Sequence, residues 1–166
     1  MRAFEPAGDG SVRAVFEPVE AALLAQLAGQ VAGLLDEQRG GAAGDLAILR
    51  LLPNAYPDDP EASAEFRRFT ADELTEKKLR NARILIADCA GAADADGPST
   101  IQLDAASIGA WLRSLTDVRL VLATRLGITD DGDLGPDDDD EEALMLTDVY
   151  DWLGFVQDSL VSALED

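Results

Sequence analysis

The side chains able to do chemistry are few in kind: 33 Asp and Glu, 13 Lys and Arg, one cysteine (Cys89) and no histidine. Without an imidazole, a His general base, a Ser-His nucleophile and His-ligated zinc are excluded. One thiol excludes an intramolecular disulfide and every multi-cysteine metal site. Carboxylates remain. Asp58, Asp59 and Glu61 are close enough in sequence to pair as acid and base, but they lie between prolines, where acids serve turns and helix starts. No catalytic residue is assigned.

The densest carboxylates lie in Asp130–Glu142, where nine of thirteen residues are acids. With Asp131 at position one of a calcium loop, Asp133, Asp137, Asp139 and Glu142 fall at positions three, seven, nine and twelve. Gly135 then offers no oxygen at five, and Pro136 replaces the glycine needed at six. The loop cannot make its turn. The segment is expected to be an extended, solvated, flexible linker, with no metal. Gly40-Gly41-Ala42-Ala43-Gly44 lacks both the spacing and the preceding strand of a dinucleotide loop, and no Walker lysine follows any glycine loop. No cofactor is expected.

Cations cluster instead. Arg67, Arg68, Lys77, Lys78, Arg80 and Arg83 are six of the thirteen. Such a patch could meet nucleic acid or an acidic partner, or hold the chain's own acidic segment. Glu73–Lys77 and Glu76–Arg80 have the favourable order for helix ion pairs, which leaves Arg67, Arg68, Lys78 and Arg83 as contact candidates. The net charge of -20 argues against DNA binding by the protein alone, because counterion release needs many unpaired cations. Cys89 lies on the face of Ala82, Leu85 and Ile86, beside Asp88, which predicts a buried structural thiol rather than a reactive one.

The elements that must carry these groups read mainly as helices. Arg2–Glu5 and Val12–Phe16 predict a hairpin around Gly8-Asp9-Gly10. A helix opens at Pro18 with Val19, Leu23, Leu27, Val31 and Leu34 as its apolar stripe, and Gly40 to Gly44 end it. Ala21, Ala25, Gly29 and Gly33 form a small-residue stripe suited to close helix approach within the bundle or across a homodimer. Leu46–Leu52 is a short apolar piece, followed by the proline-rich loop Pro53–Pro60. Helical pattern returns at Glu61–Phe69, and Thr70 with Glu73 has capping-box spacing for a helix to about Ala90. Thr100–Leu103 reads as a third strand. Asp104 caps a helix with the stripe Ile108, Trp111, Leu112, Leu115, Val118, Leu122 and Leu126. The last helix places Met145, Val149, Trp152, Val156, Leu160 and Leu164 on one face. The expected fold is one α+β domain over residues 1–166: a helical bundle with an N-terminal hairpin and one further short strand.

The compartment follows from what is missing. An acid and a proline stand at Glu5-Pro6, where a signal peptide needs apolar residues. The uncharged stretch Ala21–Leu35 is too short to span a bilayer. A cytoplasmic protein without membrane contact is expected.

The middle of the chain carries a resemblance. Leu51-Leu52-Pro53-Asn54-Ala55-Tyr56, Asp58-Asp59-Pro60-Glu61-Ala62 and Glu65-Phe66-Arg67-Arg68-Phe69-Thr70 are similar to the signature of an actinobacterial family. Lys78, Asn81-Ala82, Trp111-Leu112 and Val121–Gly127 continue it. The family is the AosR-like oxidative-stress transcriptional regulators, formerly described only as a domain of unknown function and typically encoded beside the ClpS adaptor. Pro53, Tyr56, Asp58 and Asp59 form its signature loop here. The resemblance implies a non-enzymatic regulator working with a sigma factor and RNA polymerase through protein contacts, for which an acidic surface is suited. The gene neighbourhood offers a second reading, an accessory factor of Clp proteolysis. Redox sensing in such regulators uses a closely spaced cysteine pair. This chain has only Cys89, so switching by internal disulfide does not carry over.

Overall fold

A computed structural model describes residues 1–39, 44–53, 58–66, 70–128 and 140–165. Three antiparallel strands lie in the order β1 (Glu5–Pro6), β2 (Val12–Phe16) and β3 (Ser99–Leu103). The helices are α1 (Pro18–Arg39), α2 (Leu46–Leu51), α3 (Pro60–Phe66), α4 (Asp72–Ala93), α5 (Ala105–Arg125) and α6 (Glu141–Glu165). The mainly helical α+β class is as expected. The hairpin ladder is shorter than predicted: β1 starts at Glu5, although the Arg2 amide still donates to the Val15 carbonyl at 2.9 Å.

β2 sits in the middle, with Val12 opposite Leu103 and Phe16 opposite Ser99. Its period of two buries Val12, Ala14 and Phe16, while Ile101 and Leu103 of β3 join them on the inner face. There Phe4, Phe16 and Trp111 meet, with ring centroids 5.9 to 6.0 Å apart. The Trp111 indole N–H donates to Asp88 Oδ2 at 2.9 Å, so the buried ring leaves no donor unpaired.

Strand, acid and helix follow one another twice, as β2–Glu17–α1 and β3–Asp104–α5. Pro18 opens α1 without needing an amide, and Glu20 reaches back to the Glu17 amide at 2.8 Å. Asp104 accepts from the Ser107 amide at 2.8 Å, the cap its type predicts. Gly127, with φ of 72°, takes the left-handed position after α5.

Three helical faces differ from expectation. α1 packs mainly on α4 and buries Ala21, Leu24, Leu27, Ala28, Val31 and Leu35, so the buried stripe is rotated and Val19 is 74% exposed. The alanines supply the close face; Gly29 and Gly33 meet no close neighbour among the described residues. By length and composition α1 could cross a membrane, but its buried stripe forms part of the protein core. In α6 the buried face is Leu153, Val156, Ser159, Leu160 and Ala163, whereas Met145 is 62% and Leu164 47% exposed. These flanking apolar positions lie on neighbouring sides of the wheel, and tertiary packing chose between them.

The capping box at Thr70 does not form. Ala71 has helical φ and ψ and no side-chain cap, and a wide turn at Thr70–Ala71 runs straight into α4. An N-cap needs extended backbone, so the box has nothing to close. Glu73 pairs with Lys77 instead. α4 also continues three residues beyond Ala90, to Ala93. At the other end of the acidic segment, Asp140 Oδ1 accepts from the amides of Glu142 and Ala143 at 3.1 and 3.3 Å. Asp140–Glu142 therefore cap and open α6 rather than belonging to a linker. The rest of that segment, from Asp130 to Asp139, lies outside the described residues.

Candidate functional site

α4 and α5 lie side by side, and along their N-terminal and central turns respectively they leave a groove of about 700 Å³. α4 contributes Leu74, Lys77, Lys78 and Asn81, a spacing that keeps all four on neighbouring turns of one side. α5 contributes Leu112, Arg113, Thr116 and Asp117, and Gln157 of α6 closes one end.

The floor is an ion pair. Lys78 Nζ lies 2.5 Å from Asp117 Oδ1, with 17% and 5% of the two side chains exposed. Burial pushes the Asp117 carboxyl above its ordinary range, and the hydrogen bond and charge of Lys78 only partly oppose that. The deeper partner is the acid. Beside it, toward α1, the Ser114 hydroxyl is buried with no hydrogen-bond partner among the described residues.

Gln157 is held from two sides. It accepts from Arg119 Nη1 at 3.0 Å and donates to Thr116 Oγ1 at 2.9 Å. The Thr116 hydroxyl donates in turn to the Leu112 carbonyl at 2.9 Å. The Arg119 guanidinium also stands 4.8 Å from the centre of the Tyr150 ring, tying α5 to α6 by a cation–π contact. At the rim, Lys77 pairs with Glu73 at 2.8 Å, and Arg113 Nη1 donates to the Gly109 carbonyl at 2.8 Å.

The cation cluster read from the sequence is therefore divided. Lys78 is not a freely exposed cation: it turns inward to Asp117, the one buried acid among the described residues, with 17% of its side chain left open to the groove. Arg80 and Arg83 lie on the exposed side of α4, away from the core. Glu76 does not take Arg80 as expected; it pairs with Arg39 of α1, because α1 lies against this part of α4. Arg67 and Arg68 lie outside the described residues.

In the signature loop Tyr56 lies outside the described residues, and Pro53, Asp58 and Asp59 are exposed. Asp59 caps α3, its Oδ1 accepting from the Glu61 and Ala62 amides at 3.1 and 3.0 Å. That is a local structural duty. Lys78, Asn81 and Leu112 of the resemblance all line the groove.

Sequence reasoning missed Asp117. The available signal was its place on the inner face of α5, one turn from Ser114 and from Val121. An acid in a buried stripe needs a counter-charge, and Lys78 occupies the matching position on α4, in register with Ala82, Leu85 and Cys89.

Cys89 is fully buried. Desolvation, with a smaller contribution from the neighbouring Asp88 charge, pushes its thiol up to about 12. A thiol so placed has almost no thiolate at neutral pH, and thiolate is the reactive form.

Comparison with known proteins adds the family. The model described as "Domain of unknown function (DUF2017)" matches residues 1–164. The chain is 29% identical to proteins named "Oxidative stress regulator AosR" from Mycobacterium bovis and Mycobacterium tuberculosis. Each alignment covers 92% of this chain and 81% of the relative. No solved structure matches the chain.

Proposed function

The chain belongs to the DUF2017 family, and from that membership we propose that it is a regulator of the oxidative-stress response, cytoplasmic and non-enzymatic, acting on transcription through protein contacts. The observation that carries this reading is the likeness to mycobacterial oxidative stress regulators over nine-tenths of the chain. Two physical features support the mechanism. The charge of -20 makes long-range approach to a nucleic-acid backbone unfavourable and approach to a basic protein face favourable. Charge asymmetry sharpens this: no Lys or Arg follows Arg125, while fourteen acids do. The partner in this reading is a sigma factor or RNA polymerase. Cys89, buried and far above neutral in pKa, is a packing residue in this scheme, and any oxidative signal arrives through the partner.

Affinity capture from the native host tests the reading. RNA polymerase subunits or a sigma factor should co-purify with the tagged protein. Recovery of Clp subunits in their place would move the protein to proteolysis. Tight, salt-sensitive binding of duplex DNA by the isolated protein would overturn the protein-contact mechanism.

A further inference from the structure

We propose that the groove between α4 and α5 binds a small organic anion with an apolar arm, a carboxylate or phosphate monoester whose head meets Lys77, Lys78 and Arg113. The proposal concerns the isolated chain and does not rest on the regulatory reading.

Local charge is the first argument. The chain carries 33 acids against 13 cations, yet the groove is lined by three cations and one acid, Asp117, and with Glu73 at the rim the cations still outnumber the acids. An anion repelled by the rest of the surface meets a locally positive cavity here. Size is the second: about 700 Å³ falls inside the roughly 300–1,000 Å³ of small-molecule sites.

Available donors are the third. Lys78 spends one of its three N–H donors on Asp117 and keeps the others at the groove floor. Arg113 gives one N–H to the Gly109 carbonyl, leaving the rest of its fork. Among the described residues Lys77 is held by Glu73 alone, in an exposed pair with side chains 59% and 65% accessible. Such a pair is weak and gives way to a ligand that brings a better-placed anion. Leu74 and Leu112 stand on opposite helices in the same groove, an apolar surface that a bare inorganic ion would leave unused.

The full-length protein should be titrated with phenyl phosphate, 3-phenylpropionate, inorganic phosphate and neutral benzyl alcohol at physiological salt. Amide chemical shifts and calorimetry would be read together. At least one aryl anion should shift the amides of Asn81, Leu112 and Thr116 saturably, and the tighter of the two identifies the head group. The Lys77→Ala, Arg113→Ala double variant, altered only at the groove rim, should keep the wild-type melting temperature and bind at least tenfold more weakly. Benzyl alcohol should not saturate. The proposal is overturned if neither aryl anion binds, or if shifts map elsewhere. Unchanged affinity in the double variant, or inorganic phosphate binding as tightly as phenyl phosphate, would overturn it equally.

Discussion

The two halves of α4 put one face of one helix to opposite uses. Toward its C-terminus Leu85, Cys89 and Ala92 are buried among apolar neighbours, and the Trp111 ring beside them satisfies its one polar atom on Asp88. Toward its N-terminus, where Leu79 and Thr75 continue the buried stripe, Lys78 beside them meets Asp117 at the floor of an open groove. The first half holds the only thiol and makes it inert; the second holds charged groups and keeps them reachable. Chemical capacity in this fold thus follows depth and partners, and residue type alone does not reveal it.

The largest effect should come from the dry half. Trp111→Ala removes a fully buried indole in contact with Phe4 and Phe16 and strands Asp88, so a loss of about 4 kcal/mol is expected by chemical denaturation. A loss under 1 kcal/mol would mean that this end is not the organising core.

The next concerns the ion pair. Lys78→Met leaves the carboxylate of Asp117 buried and unpaired, for an expected cost of ~3 kcal/mol at neutral pH. The pH dependence has a definite sign. A carboxyl with its folded pKa above the ordinary value of 3.8 loses stability as pH rises through that window, and removing Lys78 raises the folded value further. The deficit of the variant should therefore grow as pH rises above 3.8 and shrink below it. Parallel curves for variant and wild type would show that Asp117 does not sense Lys78.

The smallest effect separates the partners. Asp117→Asn removes the buried charge while an amide oxygen can still accept from Lys78, whose ammonium reaches the groove, so a change of about 1 kcal/mol or less is expected. Equal losses for Asp117→Asn and Lys78→Met would contradict the assignment of Asp117 as the deeper member.

Patterns within one element were legible in the sequence. The third strand, the Asp104 cap, the stripe of α5 and the buried position of Cys89 all follow from local period and residue type. What was not legible depends on distant chain. Val19 and Met145 fit helical stripes as well as Leu24 and Leu153 do, and only the facing helices decide which side is buried. Glu76 chose Arg39, 37 residues away, over Arg80 on its own helix. The groove was hidden for the same reason: Lys78 and Asp117 are 39 residues apart, and each alone reads as an ordinary helix charge. The resemblance supplied the family, which composition and period could not.

The central proposal is regulation through protein contacts, with the protein's own thiol silent. It is tested most directly by capturing the tagged protein from native-host cells with and without a peroxide pulse, then mapping Cys89 by mass spectrometry. The account predicts Cys89 recovered as free thiol in both samples, while sigma factor or polymerase subunits are captured. Cys89 recovered as sulfenic acid or as a mixed disulfide, with capture changing in step, would contradict it.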